Sequence, residues 1–296
     1  MNLNFRSGFA GLIGPPNAGK STLINRILGR KIAIVSPKPQ TTRNRIWGVL
    51  HGEDHQIVFV DTPGIHPTKT LLHKSMVASA LAATREVDII LLLLEIGKAD
   101  VPGTAGLISE AAVKNKPCLL AINKMDLVPR EAVLPVIERL SALHPFEEII
   151  PVSARTGRGV DSLLKAITCR LKPGPPFFPP DMDTDQSETF MVAEIIREKI
   201  YMFTHHELPY STAVVVNRIE EDHHRPLLSI WAAIHVETSS QKKIIIGTGG
   251  KMIKKIGTAA RRELENVFDI RVYLDLVVKI EKNWSKNPKA LRRLGY

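Results

Sequence analysis

The sequence predicts an α/β domain, with a mostly parallel sheet covered by helices on both faces, followed by a smaller α+β domain. Three observations carry this reading. In the first part, continuous Val/Ile/Leu runs alternate with longer amphipathic stretches, the pattern of strands buried on both faces and joined by helices. At residues 172–181, KPGPPFFPPD places Pro173, Pro175, Pro176, Pro179 and Pro180 within ten residues. Such a segment can continue neither helix nor central strand and makes a semi-rigid spacer. Beyond it the order of elements changes. The expected division is therefore residues 1–172, a linker at 173–181 and residues 182–296.

The strands of the first part are FAGLIG, RIWGVLHG, QIVFVD, VDIILLLLE, PCLLAIN and EEIIPVS, with amphipathic stretches at 103–115 and 129–142. In the second part a helix from Thr189 to about Phe203 precedes the strands STAVVVNRIEE and LLSIWAAIHVET. A lysine-rich glycine loop, a helical pattern and the strand RVYLDLVVKIEK follow. With 296 residues, 44% hydrophobic and 24% charged, the chain has material for two cores. Its longest apolar stretch, around Ile89–Leu94, falls far short of the roughly 18–20 residues of a membrane span, and the N-terminus lacks a secretory pattern. Cys118 and Cys169 fit buried, reduced thiols of a cytoplasmic protein, and no Cys/His cluster has zinc-ligand spacing. The net charge is +10, and residues 241–296 hold 14 Lys+Arg against 5 Asp+Glu. That asymmetry favours a polyanionic partner, nucleic acid ahead of an acidic membrane surface.

Residues 14–21, GPPNAGKS, match G-x-x-x-x-G-K-[ST] between a strand and a helix, the context that this motif requires. Gly14 and Gly19 let the backbone curl, so that amides along Pro15, Pro16, Asn17 and Ala18 face phosphate oxygens. The helix that starts near Lys20, Ser21 and Thr22 adds its positive dipole end. Lys20 reaches the β- and γ-phosphates, and the Ser21 hydroxyl ligates Mg²⁺. After the next long strand comes DTPG at 61–64, where Asp61 serves the Mg²⁺ shell and the Gly64 amide can contact a γ-phosphate. NKMD at 123–126 supplies Asp126, whose carboxylate accepts two hydrogen bonds from guanine and none from adenine. Asn123 braces that loop, and the stem of Lys124 covers the base. Ser153, Ala154 and Arg155 follow the last strand, where a backbone amide can meet the guanine O6. Four motifs in this order, each after a strand, identify a GTP/GDP-binding domain that uses Mg²⁺.

These motifs, with PQTTRNR at 39–45, resemble the translation-factor-type GTPases and their Era subfamily in particular. The resemblance implies that Thr42, ahead of Thr41, is the second Mg²⁺ ligand. Ile65 stands where many small GTPases carry a water-orienting glutamine, so intrinsic hydrolysis should be slow. In GTPases that resemble this one, an asparagine at the place of Asn17 helps to hold K⁺ against the phosphates; the alternative is that Asn17 only stabilises the loop. Lys20, Thr42 and Asn17 are thus the residues expected to act in hydrolysis.

In the second part, Gly247, Thr248, Gly249 and Gly250 form a G-x-x-G loop flanked by lysines. The setting resembles a KH domain of the variant in which two strands precede the motif, and this implies a short helix at KKIII, which periodicity alone leaves as strand or helix. Such a loop suits single-stranded RNA, because glycine lets sugar-phosphates approach the backbone. Lys242, Lys243, Lys251, Lys254 and Lys255 are the expected phosphate contacts. Thr248 departs from the usual pattern, in which a basic residue is common.

Together the two parts resemble the Era family over essentially the whole chain. The resemblance implies a bacterial GTPase that binds the 3′ end of 16S rRNA and assists maturation of the 30S ribosomal subunit, with peripheral association with the inner membrane also implied; the chain is expected to be monomeric. A lipid-binding trafficking switch and a tRNA-modification GTPase are the rival readings.

Overall fold

The computed structural model describes residues 5–38, 41–64, 76, 82, 85–98, 104–111, 116–222 and 224–296. Ile65, Pro39 and Gln40 of the motifs above, and residues 103 and 112–115 of one expected helix, lie outside them. Two compact units result. The first ends at Asp185 and omits Ile34–Thr41, which belong with Gln186–Tyr296 in the second.

In the first unit, β1 (Arg6–Ile13), β2 (Ile46–His51), β3 (His55–Asp61), β4 (Ile89–Glu95), β5 (Cys118–Asn123) and β6 (Glu148–Pro151) form a sheet in the order β2-β3-β1-β4-β5-β6. Only β2 runs antiparallel to its neighbour in that order. Ile89 to Leu93 are all 0% exposed, as expected of a central strand covered on both faces. Among the described residues, helices α1 (Lys20–Leu28), α2 (Thr104–Ala111), α3 (Val133–Ser141) and α4 (Val160–Thr168) follow β1, β4, β5 and β6 respectively. Parallel strands bring the loops after β1, β3, β5 and β6 to one carboxyl edge, where open α/β sheets bind ligands.

The proline-rich segment is anchored, unlike the spacer expected from its composition. Lys172–Pro173 form a short strand, β7, antiparallel to Arg6 and Ser7. Ser7 Oγ donates to the Pro175 carbonyl at 2.7 Å. The buried Gln56 accepts from the amides of Phe177 and Phe178 (2.7 and 3.0 Å) and donates to the Phe178 carbonyl. Phe177 packs on Phe9, and Phe178 on Trp47. Proline removes backbone donors but leaves carbonyls and intervening side chains free to dock.

The cysteines need one correction. Cys118 is buried, and desolvation pushes its thiol up to about 12, but Cys169 is exposed. It caps the C-terminus of α4 on the solvent side, with its Sγ 3.3 Å from the Ala166 carbonyl.

The second unit runs α5 (Glu188–Phe203), β8 (Ala213–Asp222), β9 (Leu227–Val236), α6 (Ser239–Ile246), α7 (Lys251–Phe268), β10 (Arg271–Ile280) and α8 (Pro288–Arg293). Its sheet has the order β10-β9-β8, with β10 parallel and β8 antiparallel to β9. On α7, Ile256, Ala260 and Leu264 recur every four residues and are 0% exposed, the buried stripe of an amphipathic helix. KKIII is helical, as the resemblance implied. The reason is local: the Thr238 hydroxyl accepts from the Gln241 amide at 3.2 Å, and the Gln241 side chain accepts from the Thr238 amide in return. This reciprocal cap starts α6 where three consecutive isoleucines would favour a strand.

Thr238→Ala is expected to destabilise α6 by about 1 kcal/mol. Amide hydrogen exchange should register this as lost protection in 239–246, with GDP affinity unchanged.

Candidate functional site

The phosphate loop is shaped by close approaches that exclude side chains. A Cβ on Gly14 would lie 2.3 Å from the Leu93 carbonyl oxygen, and one on Gly19 would lie 2.2 Å from Asn123 Nδ2. Asn17 adopts φ 62°, a left-handed conformation that asparagine tolerates better than most residues. The Ala18 amide donates to the Pro15 carbonyl at 3.4 Å. Lys20 and Ser21 open α1, with Thr22 next in its first turn. The Lys20 ammonium folds back on the loop, 3.0 Å from the Gly14 carbonyl and 3.1 Å from that of Pro15. Burial lowers its pKa from 10.5 to about 8, partly offset by the charge of Asp61.

Three oxygen-bearing side chains meet at the start of α1. Ser21 Oγ donates to Asp61 Oδ2 at 2.7 Å and lies 2.9 Å from Thr42 Oγ1. Asp61 is 0% exposed, its Oδ1 has no partner among the described residues, and desolvation pushes its pKa up to about 6 despite Lys20 and Ser21. Two hydroxyls and a carboxylate with an unpaired oxygen are the donor set that suits Mg²⁺, a hard cation. Thr41, the alternative ligand, points elsewhere: its hydroxyl donates to the Lys38 carbonyl at 2.8 Å. Gly64 lies against the phosphate loop, where a Cβ would fall 2.8 Å from Pro16 N.

The other end of the pocket is tied to this one. Asn123, at the end of β5 and 2% exposed, donates to the Ala18 carbonyl at 2.7 Å and accepts from the Ala154 amide at 2.9 Å. Ser153 Oγ donates to Asp126 Oδ1 at 2.6 Å, and Arg155 pairs with Asp126 Oδ2 at 3.0 Å. The Ser153 bond is the largest of the effects that hold the Asp126 carboxyl below its usual range.

Two contributors carried no signal in the sequence. Glu95, beside Asn123 in the β4–β5 register, holds the Lys124 ammonium at 2.9 Å and so aims its stem. Arg26 on α1 donates to the carbonyls of Ala154 and Arg155, fixing the base-side loop from the phosphate-side helix.

In the second unit, Gly247, Gly249 and Gly250 all have positive φ (73°, 59° and 76°), and Thr248–Gly250 form one turn between α6 and α7. A Cβ on Gly249 or Gly250 would meet nothing within 4 Å, so this backbone is open to approach. Thr248, Lys243, Lys251, Lys254 and Lys255 are exposed and Lys242 is half-buried. The Lys255 ammonium sits 4.3 Å from the centroid of the Phe203 ring. Ile244, 54% exposed beside the loop, gives this face an apolar element.

A glycine-rich phosphate loop, an oxygen triad and a guanine-type loop on one sheet edge, with a glycine-loop α+β unit following, define a P-loop GTPase with a C-terminal KH domain. A family model described as a 50S ribosome-binding GTPase matches residues 9–124, and a KH-domain model matches residues 207–285. GTPase Era of Syntrophus aciditrophicus (strain SB) is 49% identical over 295 residues, covering 100% of this chain and 96% of that protein. A crystal structure of a substituted Aquifex aeolicus Era bound to GDP.AlF4⁻ is similar at TM-score 0.95 and 40% identity over 99% of both chains. So, with the same values, is one of Era in complex with MgGDPNP and nucleotides 1506–1542 of 16S ribosomal RNA. The chain belongs to the GTPase Era family.

Lys20 yields a pH prediction. With its pKa lowered to about 8, the side chain is charged below that pH and neutral above it in the nucleotide-free protein. Phosphate favours the charged form, so GDP binding above pH 8 must take up a proton. Affinity should be level between pH 7 and 8 and then fall by up to about tenfold per pH unit. Calorimetry in buffers of different ionisation enthalpy measures both the affinity and the proton.

Proposed function

We propose that this chain is a cytoplasmic GTP-hydrolysing switch that binds the 3′ end of 16S rRNA through its KH domain and assists maturation of the 30S subunit. One observation carries the reading: a guanine-nucleotide pocket and an open, lysine-flanked glycine loop occur in one chain. A relative with both parts over 99% of its length is solved with MgGDPNP and 16S ribosomal RNA. The proposed working parts are residues 1–172, the segment 173–181 and residues 182–296.

In the proposed mechanism, the amides of the 14–19 loop and the Lys20 ammonium grip the phosphates. Ser21, Thr42 and Asp61 would hold Mg²⁺, which neutralises phosphate charge when bound. Thr42 and the Gly64 amide respond to the γ-phosphate, because both belong to segments flanking the phosphate loop. Asp126 pairs with the guanine edge, the Lys124 stem covers the ring, and the Ala154 amide region meets O6. No glutamine follows Gly64, where the sequence has Ile65, so hydrolysis in this chain is slow without added charge. Asn17 is proposed to hold K⁺ beside the phosphates and supply it. At the other site, Lys242, Lys243, Lys251, Lys254 and Lys255 neutralise RNA phosphates around Gly247–Gly250.

Hydrolysis should be faster in K⁺ than in Na⁺ at equal ionic strength, and Asn17→Ala should abolish the difference; steady-state phosphate release in both salts measures it. Crosslinking the GTP-bound protein to total cellular RNA, followed by sequencing, should enrich the 3′ end of small-subunit rRNA. Binding only to acidic vesicles, with no such enrichment, would overturn the RNA reading in favour of a membrane switch. No described helix is long and apolar enough to cross a membrane.

A further inference from the structure

The segment that leads into Thr42 is held by α5. Glu198 Oε1 accepts from the Val35 amide at 2.8 Å. The Lys38 ammonium reaches the carbonyls of Tyr201 and Thr204 at the C-terminal end of α5, where a helix presents unpaired acceptors. Arg197 Nη2 donates to the Thr41 carbonyl at 2.5 Å. The next residue along the chain is Thr42, whose hydroxyl lies 2.9 Å from Ser21.

Arg197 differs from the other two attachments. It is 1% exposed, and its Nε and Nη2 pair with Glu194 at 2.7 and 2.5 Å. Its guanidinium lies 5.2 Å from the Tyr201 ring centroid, and Nη1 has no acceptor among the described residues. Burying an ion pair carries a desolvation penalty that is recovered only with excellent geometry and satisfied donors. An apolar side chain would fill the same space on α5 without that penalty. What it could not do is hold a backbone carbonyl from a rigid, planar fork.

We propose that Arg197 is a positioning residue for GTP hydrolysis. By fixing the Thr41 carbonyl it sets the plane of the Thr41–Thr42 peptide, and so keeps the Thr42 hydroxyl directed at Ser21 and Asp61. Glu194 holds the guanidinium in register, while Glu198 and Lys38 restrain the segment upstream. The inference rests on the reading of Thr42 as a Mg²⁺ ligand in the GTP state. Its consequence is selective: the GTP complex and its hydrolysis depend on Arg197, and GDP binding does not.

The double variant Glu194→Met/Arg197→Met removes both buried charges together, leaving neither unpaired. Expected results are a fall in kcat of about tenfold and a rise of similar size in the Mg²⁺ concentration needed to bind a non-hydrolysable GTP analogue, as for loss of one ligating group. GDP affinity should stay unchanged. Arg197→Lys keeps a charge beside Glu194 without the fork and should behave alike; it decides the matter by the same readouts if the double variant does not fold. Thr42→Ala is measured in parallel. If Thr42→Ala loses Mg²⁺ dependence and hydrolysis while the folded Arg197 variants match the parent, Arg197 is only structural and the proposal is overturned. If Thr42→Ala itself changes neither, the ligand reading of Thr42 fails and takes the proposal with it.

Discussion

The nucleotide pocket is closed by one buried side-chain amide, that of Asn123. It joins the Ala18 carbonyl of the phosphate loop to the Ala154 amide of the base loop, two segments that reach it from opposite sides of β5. Both ends of the amide are satisfied, which matters because a buried polar group left unpaired costs about 1–3 kcal/mol. The clasp also dictates its surroundings. Gly19 must be glycine because its Cβ would collide with Asn123 Nδ2, and the parallel register places Glu95 beside Asn123 to anchor Lys124. The 14–19 loop and the loop after β6 are therefore joined in one geometry set at the end of one strand.

Within that geometry the charges are not at rest. Lys20 and Asp61 attract each other, yet burial wins for both: the lysine falls from 10.5 to about 8 and the aspartate rises to about 6. The net lysine shift corresponds to about 3 kcal/mol against its charged form, which a phosphate anion would relieve. Such fixed, poorly solvated charge is what makes a preorganised phosphate site effective. Arg197 is as deeply buried, but its two-pronged pairing with Glu194 outweighs desolvation and raises its pKa. Paired geometry, rather than depth, separates a charge kept waiting for a ligand from one committed to the fold.

Sequence made legible what chemistry restricts to a residue type at a spacing. The glycines at the tight approaches of the 14–19 loop, and the lysine and serine that open the helix after them, sit where few other residues would serve. The strands were legible because two-sided burial demands unbroken apolar runs. Contacts between distant positions left no such trace. Arg26 meets Ala154 across 128 residues, and Arg197 meets Thr41 across 156. On α5, Glu194, Arg197, Glu198 and Lys199 look like a solvated charged face, and all four are buried. The proline-rich segment could be read as a break in secondary structure, but its docking depends on Gln56, a single polar residue inside an apolar strand.

The adjacent threonines show how such invisible contacts decide chemistry. Thr41 and Thr42 are equally buried, at 9% and 8%, and either hydroxyl could ligate a cation. Local sequence cannot choose between them, since both carry the same group one peptide apart. The choice is made by what else holds each residue. Thr41 has its hydroxyl committed to the Lys38 carbonyl and its own carbonyl committed to Arg197, which leaves Thr42 to meet Ser21. Exchanging their roles would break both bonds and cost the buried guanidinium one of the two acceptors of its Nη2. Which of two identical hydroxyls stands beside Ser21 is thus decided by bonds that the local sequence does not show.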